Sequence, residues 1–158
     1  MAHGEHTYKV KVHWTGNRGS GTSGYRDYDR DHLIEAAGKP AIPGSADPAF
    51  RGDPARWNPE DLLVASASAC HKLWYLHLCA DAGIAVLDYT DDAQGTMIDT
   101  AQEGRFKEIV LHPRVTIRAG DDRALAERLH HTAHEKCYIA NSVNFPIRCE
   151  PVIEHASA

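Results

Sequence analysis

The chain has 158 residues, 42% of them hydrophobic and 25% charged, with a formal net charge of −5. That length and balance fit one soluble domain, residues 1–158, with a core of its own, and no repeat or low-complexity segment interrupts it. The negative charge argues against a general nucleic-acid binder.

The opening run MAHGEHTYKV lacks the apolar stretch of a signal peptide, so a cytoplasmic protein is expected. From Tyr8 to Trp14 the residues alternate, with Tyr8, Val10, Val12 and Trp14 on one face and Lys9, Lys11 and His13 on the other. This pattern predicts a half-buried strand. The run from Thr15 to Gly21 is a glycine-rich turn. A returning strand is expected over Gly24 to Asp29, and a short third over His32 to Glu35. The polar, Pro/Gly-rich stretch from Gly38 to Trp57 is long for a structureless loop, which points to a functional or partner-packed segment.

Asn58 to Gly83 reads as one long helix and organises the rest. Asn58 is a good N-cap, Pro59 fits the first helical position, and Glu60 and Asp61 sit at the positive end of the dipole. Gly83 can adopt the left-handed conformation that ends the helix. About 24 residues span roughly 36 Å. The body is apolar on nearly every side, through Leu62, Leu63, Val64, Leu73, Trp74, Leu76 and Leu78, and such a helix is expected to be buried. His71, Lys72 and His77 interrupt it too often for a membrane span.

Ile84 to Ile98 and Phe106 to Arg118 read as two long strands joined by a turn at Thr100 to Gly104. Asp121 and Asp122 open a second helix, with Leu125, Leu129, Ala133 and Cys137 on one face. Ser142 to Ile153 returns as a last strand, bent or at an edge because Pro146 and Pro151 cannot donate to a ladder. Strands, helix, strand pair, helix and strand make an α+β fold with antiparallel sheet.

The chain has four cysteines, Cys70, Cys79, Cys137 and Cys149. In a reducing compartment free, catalytic or metal-bound roles are favoured over structural disulfides. Cys70 and Cys79 cannot pair within the helix, being roughly 13 Å apart along its axis. Cys70 and Cys137 each read either as small core residues or as a reactive pair. A mid-helix thiol gets little help from the dipole, so a reactive Cys70 needs a cation from elsewhere, and arginine suits because it stays charged when buried.

The run Asn58-Pro59-Glu60-Asp61-Leu62-Leu63, followed by Ser68-Ala69-Cys70, resembles the signature of the OsmC/Ohr family of hydroperoxide reductases. The Arg18-Gly19-Ser20-Gly21-Thr22 turn after Trp14 is similar to the family's glycine turn carrying an arginine. Cys137 matches the second family cysteine, and the order of elements agrees along essentially the whole chain. The resemblance implies a single OsmC-like domain with antiparallel sheets wrapped around two long central helices in an intertwined homodimer, its active sites at the interface. It also implies a thiol peroxidase acting on organic hydroperoxides. Cys70 would become a sulfenic acid and Cys137 would condense with it to a disulfide. An external dithiol, small or protein-borne, would reduce that disulfide, with no bound cofactor. Arg18 would stabilise the thiolate and Glu60 would hold its guanidinium. No nucleic-acid or membrane partner is implied. Two positions depart from the family pattern. His71 stands where an aromatic residue is common, and Tyr138 follows Cys137 where proline is common. Arg51 and Arg56 are alternative sources of the cation.

Other constellations carry less. His130, His134 and Cys137 recur along one helical face and could bind zinc, with His71 or His77 as a further ligand, although a surface helix with scattered histidines is the commoner explanation. Trp74 and His77 share a face with Cys70 and read as pocket lining or core, core being favoured for Trp74. Asp91 and Asp92 read as solvated strand or turn residues, and Cys79 and Cys149 as packing or surface thiols. The Gly16, Gly19 and Gly21 spacing is unlike a dinucleotide fingerprint. The rival to the peroxidase reading is a non-catalytic binding or sensing protein of the same fold with structural or metal-binding cysteines. Thioester chemistry is weaker still, for want of a base beside Cys70.

Overall fold

Asn58 caps the longest helix as its sequence predicts. Its Oδ1 accepts from the Asp61 N–H at 2.8 Å, and the helix α1 runs Pro59–Asp81. Gly83 ends it with φ +75°, where a side chain would be strained. In the computed structural model, which describes residues 3–158, the chain forms two compact units, Met1–Leu62 and Leu63–Ala158.

The first unit carries a small antiparallel sheet of β1 (Lys11–Trp14), β2 (His32–Glu35) and β3 (Ile42–Gly44). β1 is exposed along its whole length, and Tyr8, Val10 and Val12 are 88%, 70% and 64% exposed. The half-buried strand expected from alternation is therefore open on its apolar side within one chain. No strand forms over residues 24–29. Their backbone donors go to turns instead: Asp27 N–H to the Gly24 carbonyl and Asp29 N–H to the Gly16 carbonyl. The Arg30 guanidinium lies over the Tyr25 and Tyr28 rings at 4.5 and 3.9 Å and donates to both residues' carbonyls. Gly16 is required here, because a Cβ would stand 1.8 Å from the Asp29 carbonyl oxygen.

The stretch from Gly38 to Trp57 is more structured than its composition suggests. It contains β3 and a 3-10 turn at Pro48–Phe50. Buried Ser45 ties it together, donating to Asp31 at 3.0 Å and accepting from the Asp53 N–H at 3.0 Å.

In the second unit the two long strands each break in two. β4 (Val86–Asp91) and β5 (Gln94–Asp99) come from the first, β6 (Gly104–Leu111) and β7 (Pro113–Ile117) from the second. The helix α2 spans Arg123–Lys136, its Leu125 N–H bonded to the side chain of the N-cap Asp122. The last stretch divides at Pro151 into β8 (Ile147–Cys149) and β9 (Val152–His155). Two three-stranded sheets result, ordered β4-β7-β9 and β5-β6-β8. The β6–β8 and β7–β9 pairs are parallel, which corrects the all-antiparallel expectation. The fold class remains α+β, with two α-helices among the described residues and several small sheets. The final strands run alongside β6 and β7 because α2 carries the chain back before they begin, a crossover that parallel pairing requires.

One stripe of α1, comprising Ala67, His71, Tyr75 and Cys79, is buried. Ala67 packs with Ile109, Leu111 and Ile147 of one sheet. Tyr75 and Cys79 pack with Val115, Ile117 and Ile153 of the other and with Ala126 and Ala133 of α2. The all-round burial expected of the helix is not met within one chain: Leu73 is 62% exposed. A single helix can present only one face to the two sheets that cover it. No helix among the described residues is long and apolar enough to cross a membrane.

Candidate functional site

Cys70 sits half-buried midway along α1, and Cys137 is the buried C-cap of α2. Their thiols lie close enough to act on one another, and no disulfide joins them. Burial, with the neighbouring Cys70 adding to it and bonds from the Ala140 and Ile139 backbone opposing it, pushes the Cys137 thiol up to about 11. Ala140 N–H points at the Cys137 sulfur from 3.5 Å. Beside this pair the Trp74 ring meets Tyr138 edge-on at 5.6 Å and lies 5.7 Å from the Lys136 ammonium. Trp74 also packs against the core, as its sequence context favours.

The other two expected site residues belong to the first unit. Arg18 donates to the Arg26 carbonyl and its Nε stands 3.7 Å from Asp29 Oδ1. Glu60, in the first turn of α1, has a buried Oε2 without a hydrogen-bond partner among the described residues. It borders a cavity of about 200 Å³ with Arg30, His32, Ser45, Asp47 and Phe50. Arg18 and Glu60 do not pair within the single chain. Arg51 closes the 3-10 turn with φ +64°. Arg56 is engaged by Asp31 and Asp53 at 3.5 and 3.7 Å.

A second cluster has no counterpart in sequence spacing. His71 Nε2 lies 3.0 Å from His130 Nδ1, and Cys149 Sγ lies 3.7 Å from the first nitrogen and 3.8 Å from the second. The two rings are coplanar within 2°, with centroids 5.3 Å apart. Rings with that centroid separation and so short an N···N contact lie end to end, so the contact is an in-line hydrogen bond and not a stack. His130 does stack on Tyr75, centroid to centroid at 3.8 Å, and the Tyr75 hydroxyl donates to the Ala126 carbonyl at 3.0 Å. His130 Nε2 is buried without a partner among the described residues.

Burial lowers His71 to about 4, helped by charge on His134 and opposed by Asp91. It lowers His130 to about 3, with His71 adding to the effect. Both imidazoles are neutral at pH 7. Burial pushes the Cys149 thiol up to about 12, with Asp91 and Glu150 adding to it. Asp91 is not a solvated turn residue. Its carboxylate accepts from Ser68 Oγ at 2.5 Å and from the His112 N–H at 2.7 Å, closing the break between β6 and β7. His130 faces His71 and Cys149 instead of His134 and Cys137. Among the described residues this is the set of three metal-capable side chains drawn together. Nothing in the spacing could have shown it, because the three come from α1, α2 and the end of β8.

A model of OsmC-like protein matches residues 52–151. Among solved structures the chain is similar to an OsmC-like protein of unknown function from Vibrio cholerae, at 30% identity and a TM-score of 0.83, covering 94% of this chain and 100% of that one. It is also similar to an organic hydroperoxide resistance protein OsmC from Legionella pneumophila, at 20% identity and a TM-score of 0.66, covering 95% and 99% of the two chains. The organic hydroperoxide resistance protein OhrB of Bacillus subtilis aligns at 23% identity and a TM-score of 0.59, covering 92% and 98%. At those last two identities the likeness is one of fold. No curated protein matches the chain. With a family model spanning most of its length and a relative 30% identical along nearly all of it, the chain belongs to the OsmC-like protein family.

Proposed function

We propose that this protein is a cytoplasmic thiol peroxidase that reduces organic hydroperoxides to alcohols. The observation that carries the reading is the contact between the Cys70 and Cys137 thiols. The thiolate of Cys70 attacks the outer peroxide oxygen. The O–O bond breaks, the alkoxide leaves and takes a proton from water, and Cys70 becomes a sulfenic acid. Cys137 then attacks the Cys70 sulfur, water leaves, and a disulfide forms. An external dithiol returns both thiols by exchange. Cys137, buried and with a thiol that keeps its proton at neutral pH, suits the resolving role, and Cys70, the more exposed of the two, suits the attacking one.

The scheme assigns Arg18 to the thiolate and the peroxide oxygen, and Glu60 to the guanidinium. The orphaned Oε2 of Glu60 supports this assignment, since a buried carboxylate oxygen without a donor is costly and a guanidinium would satisfy it. A homodimer accompanies the reading. The open apolar side of β1 and exposed Leu73 are surfaces a second copy would cover.

Pre-reduced protein treated with one equivalent of cumene hydroperoxide should lose two hydrogens, mapped by peptide mass to a Cys70–Cys137 disulfide. Thiols unchanged after minutes would overturn the reading in favour of a binding or sensing role.

A further inference from the structure

We propose that His71 Nε2, His130 Nδ1 and Cys149 Sγ form a binding site for a single zinc-class ion. The proposal stands apart from the peroxidase reading, because it uses none of the residues assigned to that chemistry.

The three atoms form a compact triangle with one short edge of 3.0 Å between the nitrogens and two of 3.7 and 3.8 Å to the sulfur. A tetrahedral zinc with bonds of about 2.0–2.1 Å to nitrogen and about 2.3 Å to sulfur spaces its ligand atoms about 3.3–3.6 Å apart. The two nitrogens need to separate by only about 0.3 Å to meet that spacing. The imidazoles now point along their shared hydrogen bond, so each ring must also turn to aim its lone pair at a common point beside the sulfur.

The surroundings favour an ion over plain packing. His71 and His130 are 1% and 3% exposed, set where Ala67 of one apolar cluster and Tyr75 of the other flank His71 on α1. A polar trio in such a place costs more than apolar side chains of the same shape unless something satisfies it. Their mutual bond satisfies one nitrogen on each ring but leaves His130 Nε2 orphaned. Asp91 adds a negative charge close enough to act on both His71 and Cys149. Two imidazoles and a thiolate select zinc-class ions over magnesium or calcium, which take oxygen ligands. Cys149 is only half-buried, so water can supply a fourth ligand from that side. On binding, the Cys149 thiol releases its proton to solvent. The proton shared between the imidazoles moves to a nitrogen facing away from the ion. The net release is one proton per ion.

The test uses reduced, chelator-treated full-length protein titrated with Co²⁺ and then Zn²⁺. One equivalent of Co²⁺ should give a thiolate-to-metal charge-transfer band that Zn²⁺ abolishes, in the wild type and in C70S/C137S alike. C149S should lack the band, and H71N and H130Q should weaken Zn²⁺ binding by about 100-fold or more. X-ray absorption of the zinc-loaded wild type should show one sulfur and two imidazole nitrogens in the first shell, a readout that needs no variant to fold. Absence of the band, or two sulfurs in the first shell, would overturn the proposal. So would a band that survives in C149S but vanishes in C70S/C137S, because the ion would then sit on the other cysteine pair.

Discussion

The Cys70 thiol on α1 and the Cys137 thiol at the end of α2 lie in contact with one another. This contact sets the first prediction. Cys70→Ser should abolish peroxide turnover. Cys137→Ser should leave one oxidation event per site, trapped as sulfenic acid, and stop recycling by dithiols. Steady-state assay with a dithiol, paired with intact mass after one equivalent of peroxide, distinguishes the two. Normal turnover by Cys137→Ser would remove the two-cysteine scheme.

Stability should fall as the pH drops below the ordinary histidine range. In the folded, metal-free protein His71 and His130 are held at about 4 and about 3, below their usual 6.5. The groups facing them are Cys149, Asp91, His134 and the Tyr75 ring. Between pH 6.5 and about 4 the unfolded chain binds more protons than the folded one, so the stability present above pH 6.5 is lost with acidification. A shift of this size on one imidazole corresponds to roughly 3 kcal/mol. Urea melts of reduced protein in chelator from pH 7.5 to 4.5 should show this decline, and His130→Gln should flatten it. A wild-type midpoint constant over that range would show that the imidazoles charge freely in the fold.

Gly95→Ala should destabilise the second unit. A Cβ at Gly95 would stand 2.5 Å from Val64 Cγ2 on α1 and 2.8 Å from Phe106 Cε1 on β6. Valine is stiff at χ1 and cannot swing away freely. Overpacking of this kind costs about 1–3 kcal/mol, read as a lower denaturation midpoint. An unchanged midpoint would mean that α1 and β5 separate easily.

Asp91→Ala should cost about 1–3 kcal/mol by stranding the Ser68 hydroxyl and the His112 N–H. Asp91→Asn retains a carbonyl acceptor and should recover part of the loss. Equal losses in both variants would show that charge, not hydrogen bonding, holds the strand break.

Local chemistry made several elements legible from the sequence. The Asn58 cap, Pro59 and Gly83 bound α1, and Asp122 opens α2, because a cap acts on the N–H groups of its own first turn. The family motif around Cys70 lies in the same local run. Apolar composition could not say which side of α1 would be covered, since that depends on how many sheets reach it. Alternation in β1 marked an apolar face but not what faces it. The splitting of the strands and the parallel placement of β8 and β9 rest on contacts such as Asp91 with His112, between residues far apart in the chain. Only the tertiary structure brings Cys70 to Cys137, or His71 to His130 and Cys149, because each group joins separate elements that no sequence period relates.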